Sequence, residues 1–148
     1  MAKQNRRFGP DPANREVTTI GSVASLDGSG SHWLNYGSAR QHIRAMQVVL
    51  ADGEVVELDR EQAPSSSVAA NLDRRVNELA TRHQKIIAEH RPQTLVNRCG
   101  YHLYDAAEKQ PVNLVDVMVG SEGTLGVITE LTVETVPIPK HRGAVLLF

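Results

Sequence analysis

The sequence predicts an α+β fold, a largely antiparallel sheet with flanking helices, and three observations lead there. Two short runs rich in β-branched residues flank Asp52-Gly53, which is a hairpin signature. A stretch that alternates apolar and polar residues opens at Gly126, as in a strand with one buried face. Between them lies one long amphipathic pattern, not the repeated strand–helix–strand units of a parallel sheet.

Taken in order, residues 43–51 read as a strand, Asp52-Gly53 as a tight turn, and residues 54–58 as the returning strand. Residues 64–67, Pro-Ser-Ser-Ser, are a polar break. Then Val68, Leu72, Val76, Leu79, His83, Ile86 and His90 recur at helical spacing and form one apolar stripe, ended by Pro92. On this reading Leu72, Val76, Leu79 and Ile86 cover the sheet, and His83 and His90 are core-edge histidines. Residues 112–119 are mainly apolar and suit either a short strand or a short helix; periodicity does not separate the two. From Gly126 the chain places Val127, Thr129, Leu131 and Val133 on one face and Glu130, Thr132 and Glu134 on the other, until Pro137. Residues 144–148, Ala-Val-Leu-Leu-Phe, are a further strand signal with no turn after them.

Composition narrows the function classes. With 41% hydrophobic and 22% charged residues over 148 positions, the chain can bury a core and is not a disordered segment. A net charge of −1, evenly spread, leaves no basic field for nucleic acid or anionic lipid. Cys99 is the single cysteine, so neither an intrachain disulfide nor a multi-cysteine metal or iron–sulfur site is expected here, and the histidines fit no metal spacing. Cys99 itself reads as a small buried filler. No apolar run approaches the length of a membrane span, and the basic start lacks the apolar stretch of a secretory signal. A cytoplasmic chain is the expectation.

The glycines carry the functional signal. Gly21, Gly28, Gly30 and Gly37 fall within seventeen residues, and Gly120, Gly123 and Gly126 recur at every third position. Segments this poor in bulk suit a backbone that turns at positive φ or lies directly against a ligand. A dinucleotide fingerprint is excluded, because Trp33 stands where its third glycine belongs, and there is no Walker loop.

The segment 120–129, Gly-Ser-Glu-Gly-Thr-Leu-Gly-Val-Ile-Thr, resembles a hallmark of the FAD-binding domain in the vanillyl-alcohol oxidase and p-cresol methylhydroxylase superfamily. The likeness is nearest to its D-lactate, glycolate and D-2-hydroxyglutarate dehydrogenase branch. Four more stretches agree in order. They are Pro10-Asp11-Pro12; Thr19-Ile20-Gly21 with Gly28-Ser29-Gly30 and the Tyr36-Gly37 pair; residues 48–56; and residues 97–103. The resemblance implies that residues 1–140 are the second part of such a domain and residues 141–148 the truncated first strand of a following cap domain. It implies FAD in the whole protein, a small 2-hydroxy acid substrate, and an electron acceptor such as a quinone or an iron–sulfur cluster outside this chain. Through that acceptor the protein would meet the inner face of a membrane.

By the same resemblance Pro10 and Asp11 lie near the cofactor, and Gly126, Val127 and Ile128 edge along it through their backbone. Gly21, Gly28 and Gly30 let N–H groups approach it where a Cβ would intervene, and Thr19, Ser22 and Ser29 offer hydroxyl hydrogen bonds. Asp27, Tyr36, Gly37 and Glu122 complete the expected cofactor set; no catalytic residue is assigned. Ser22 and Asp27 depart from the common family pattern, and an anionic Asp27 is unfavourable there unless donors hold it. A sister flavoenzyme of the alditol oxidase or UDP-N-acetylenolpyruvoylglucosamine reductase kind, or a non-catalytic domain with the same fold, are the alternatives. Gly21, the 28–30 turn and the 126–128 backbone are expected to converge on one groove.

Overall fold

A computed structural model describes residues 4–104, 108, 110–141, 143 and 145–146. In chain order its elements are β1 (Arg6–Arg7), α1 (Ile20–Ser25), α2 (Trp33–Tyr36), a 3-10 turn (Ala39–His42), β2 (Ile43–Val49) and β3 (Val55–Asp59). There follow α3 (Ser67–Arg82), α4 (Gln84–Glu89), α5 (Leu114–Met118), β4 (Val127–Val133) and β5 (Val136–Pro137). The fold is α+β, as expected. The hairpin and β4 share one antiparallel sheet in the order β3-β2-β4, and β1 pairs with β5 beside it.

Alternation explains which face of the sheet is covered. Met46, Val48, Val56 and Leu58 are buried and join Val23, Ala24, Ala69, Val115 and Met118 in one core, so α1, α3 and α5 pack on the same side. Each large side chain fully buried there contributes roughly 1.5–3 kcal/mol. Gln47, Glu57 and Thr129 mark the opposite face, where Gln47 donates to Glu57 (2.6 Å) and accepts from the Thr129 hydroxyl (2.7 Å). The ambiguous 112–119 run resolves as helix, with Val115, Val117 and Met118 buried and Asn113 capping its start.

Five local expectations need correction. The hairpin loop is longer than a two-residue turn: Leu50 N–H donates to Glu54 O (2.8 Å), Gly53 N–H to Leu50 O (3.0 Å), and Gly53 takes φ +88°. That is a three-residue loop closed by a left-handed glycine. The strand phase of β4 is shifted by a bulge. Gln47 faces Glu130 while its neighbour Val48 faces Ile128, so Thr129 is the extra residue. Ile128 therefore turns inward with Leu131 and Val133, and Val127 is 65% exposed.

The helical stripe also drifts. Leu72 and Val76 do pack against the core regions, but Ala69 and Ala80 are the buried positions, and Leu79 and Ile86 are more than half exposed. A 3.6-residue period carries the inward face from Val76 to Ala80 and not to Leu79. The pattern breaks at His83, where α3 gives way to α4, so His83 and His90 are exposed and not core-edge. Cys99 is exposed and fills no core. In the terminal strand signal, Ala144, Leu147 and Phe148 lie outside the described residues; Val145 and Leu146 are exposed.

Candidate functional site

α1 organises the site. Thr19 caps its start by accepting from Ser22 N–H (3.1 Å), an arrangement worth about 1 kcal/mol, and the two hydroxyls lie 3.0 Å apart. The helix ends in a Schellman motif: Gly28 N–H donates to Val23 O (2.8 Å) and Asp27 N–H to Ala24 O (3.2 Å). The left-handed residue of that motif is Asp27 (φ +47°), in a place where glycine is usual. The second glycine loop is stitched to the same helix end, with Gly120 N–H bonded to Ala24 O (3.0 Å) and Glu122 N–H to Ser25 O (2.9 Å). The two glycine clusters, distant in sequence, thus meet at α1. The Glu122 side chain points to solvent.

An ionic stack beneath this junction was not read from the sequence. Asp27 is 1% exposed, and its carboxylate accepts from Arg40 N–H (2.9 Å) and Arg40 Nε (3.1 Å). Arg40 Nη1 donates onward to Asp116 O. Arg60 grips the Asp116 carboxylate with both Nη atoms, each at 2.6 Å, and donates to Ile43 O (2.6 Å) and Arg40 O (2.7 Å). The donors that an anionic Asp27 requires are supplied by Arg40. Asp116, the one charge in an otherwise neutral run from Val112 to Val119, was the available signal.

The expected site residues divide by what their surroundings demand. Gly30 presses on the Asp11 backbone, where an added Cβ would lie 1.9 Å from Asp11 O. Pro10 is buried, and Asp11 Oδ2 accepts from His32 Nδ1 (2.9 Å). Gly37 takes φ +70°, and a Cβ there would strike Gln41, whose Oε1 holds the Ser38 N–H at 2.6 Å. Tyr36 is half-buried, with the Arg7 guanidinium 4.8 Å from its ring centroid, and its carbonyl accepts from His42 Nε2 (2.7 Å). Gly126 abuts β2, leaving 2.7 Å between an added Cβ and Val48 Cγ1. Packing or backbone geometry accounts for each of these.

Gly21 differs. A Cβ on it would meet nothing nearer than Thr19 Oγ1 at 3.9 Å. It borders a groove of about 430 Å³ between α1 and β4, walled by Phe8, Ile20, Ile128 and Leu131. The expected three-way convergence is therefore partial. Gly21 and Ile128 share the groove, whereas Ser29 of the 28–30 turn lines a different cavity of about 230 Å³. Val127 turns away to solvent, next to Ile128.

Gly28 does not discriminate between turn and ligand. Its added Cβ would lie 3.1 Å from Val23 Cγ1 and 3.4 Å from Val23 O, inside the Schellman turn. Gly28→Val is expected to lower the melting temperature of the protein without cofactor, because the turn itself is crowded. An unchanged melting temperature would contradict this packing.

The groove is mainly apolar, with Ile20 and Gly21 on its α1 side and Thr129 and Glu130 among its β4 residues. Residues 1–59 match the model of a family described as FAD binding domains. Over nearly its whole length the chain is similar to hydroxy-acid dehydrogenases and an oxidase subunit. It is 33% identical over 138 residues to D-lactate dehydrogenase of Anaerostipes hadrus, covering 93% of this chain and 20% of that protein. Against D-2-hydroxyglutarate dehydrogenase of Pseudomonas putida it is 30% identical, covering 90% of this chain and 14% of that protein. Against the glycolate oxidase subunit GlcD of Bacillus subtilis the identity is 28%, covering 94% of this chain and 20% of that protein. The chain thus spans a fifth or less of these relatives. Among solved structures, alkyldihydroxyacetonephosphate synthase superposes with a TM-score of 0.55 at 20% identity, covering 95% of this chain and 17% of that one; it shares the fold.

Proposed function

We propose that this chain forms one wall of the FAD site in an oxidoreductase that takes a hydride from a small 2-hydroxy acid such as D-lactate or glycolate. The observation that carries the reading is Gly21, a helical glycine that packing does not require, beside an apolar groove. Glycine in a helix costs about 1 kcal/mol relative to alanine, so an unfilled space above it suits a ligand more than the fold. The relatives' activities on D-lactate, D-2-hydroxyglutarate and glycolate support the substrate class.

FAD supplies the hydride-accepting chemistry when bound, and the protein orients it and excludes water. In this chain Phe8, Ile20, Ile128 and Leu131 would furnish the apolar wall, and the Thr19 and Ser22 hydroxyls, 3.0 Å apart at the start of α1, are the hydrogen-bonding groups we assign to the same site. The ionic stack of Asp27, Arg40, Asp116 and Arg60 fixes α1 against the sheet and keeps that wall in register. The electron acceptor we expect is a quinone or an iron–sulfur centre outside this chain. No helix among the described residues is long and apolar enough to cross a membrane. We place the protein in the cytoplasm, reaching the inner membrane face through that acceptor.

The decisive variant is Gly21→Val in the whole protein. Flavin content after desalting is expected to fall at least tenfold, while the melting temperature of the protein without cofactor stays level. Full flavin content with normal turnover would overturn the assignment. The 148-residue chain alone is expected to purify colourless and inactive, because it spans a fifth or less of the relatives it resembles. Stoichiometric flavin absorbance in the desalted chain would refute that.

A further inference from the structure

We infer that the second cavity, at the Ser29–Trp33–Arg98 corner, is an oxyanion site that takes the carboxylate or phosphate group of a small ligand. It is distinct from the flavin groove, with which it shares no lining residue, and it stands whether or not that groove binds flavin. Its volume, about 230 Å³, lies below the roughly 300–1,000 Å³ of sites for drug-sized ligands, so the occupant is small.

Charge decides what the cavity accepts. Its wall holds one carboxylate, Asp27, and Arg40 already neutralises it at 3.1 Å. The second cation, Arg98, is half-buried, donates from Nη1 to Ser29 Oγ at 2.5 Å, and makes no ion pair among the described residues. A guanidinium presents five N–H donors in a planar fork, and a neutral hydroxyl occupies only one of them. Arg98 is only partly buried, so its unused N–H groups remain open to a ligand, and a carboxylate or phosphate meets the fork with two parallel hydrogen bonds. Around it, Trp33 and Val96 supply apolar surface for a short carbon body, and the Gln41 carboxamide, whose oxygen is held by Ser38, adds a polar edge.

Trp33 is the chain's only tryptophan, so the cavity carries its own reporter. The test is to titrate the 148-residue chain with glycolate, D-lactate, inorganic phosphate and ADP at constant ionic strength, reading tryptophan emission. A saturable change is expected. Saturation by the hydroxy acids alone identifies a substrate-type carboxylate as the occupant; saturation by phosphate and ADP identifies a phosphate. Arg98→Gln should weaken the apparent affinity at least tenfold, and Arg98→Lys, which keeps the charge but not the fork, by less. Because a variant can unfold, amide chemical shifts of the unmodified chain provide the second reading: ligand shifts should centre on Ser29, Trp33 and Arg98. A response that is linear with concentration, reproduced by chloride, undiminished in a folded Arg98→Gln, or scattered over the surface would overturn the proposal.

Discussion

Gly30→Ala is expected to destabilise this protein more than alanine at any other described glycine. The new Cβ would lie 1.9 Å from Asp11 O, 2.4 Å from Asp11 C and 2.3 Å from Asp11 Oδ1. Two of those three atoms are backbone, so no rotamer change relieves the clash. Asp11 sits between Pro10 and Pro12, whose fixed φ angles leave the loop little room to retreat. Separation would break the 2.9 Å bond between Asp11 and His32 and unseat the buried Pro10. Overpacking usually costs about 1–3 kcal/mol, and a backbone collision of this depth belongs at or above the upper end. Gly21→Ala is the matched control: with 3.9 Å of clearance on a helix, it should gain up to about 1 kcal/mol. Urea midpoints of the two variants against the parent decide the matter. Equal stability of Gly30→Ala and the parent would mean that the Pro10–Pro12 loop does not lie against Gly30.

The contrast between those glycines shows how far the sequence could be read. Hairpin, alternating strand and amphipathic helix were legible because each has a period or a turn residue of its own. What misled was any local change of period. The extra Thr129 flips the phase of β4 within one residue, and nothing in its side chain announces a bulge. Ala80 carries the buried face of α3, yet alanine is too ambivalent to outvote Leu79 in a pattern. The glycine clusters were legible as a group but not one by one. Dense glycine fits a crowded backbone or an open ligand groove equally well, and only neighbouring atoms separate Gly30 from Gly21. The ionic stack was least legible, since Asp27, Arg40, Arg60 and Asp116 are scattered over ninety residues.

That stack supplies the other large effect, at Asp27→Ala. The substitution leaves the Arg40 guanidinium, whose side chain is 10% exposed, with Asp116 O as its remaining buried acceptor, and orphans the Arg40 N–H. Removing one partner of a buried ion pair costs about 3–5 kcal/mol, because the other charge is left uncompensated. Alanine also tolerates the left-handed backbone at position 27 (φ +47°) less well than Asp or Asn does. Asp27→Asn separates the contributions: it accepts the left-handed conformation, keeps an oxygen for Arg40 N–H, and loses only the charge. The expected order of stability is parent, then Asp27→Asn, then Asp27→Ala, with a clear gap at each step in urea denaturation. Since Gly120 N–H and Glu122 N–H hang on the same helix end, proteolysis of the 120–124 loop should accelerate in the same order. If Asp27→Ala matched the parent in both measurements, Asp27 would not hold the glycine loops together, and its carboxylate would be free to serve the bound cofactor instead.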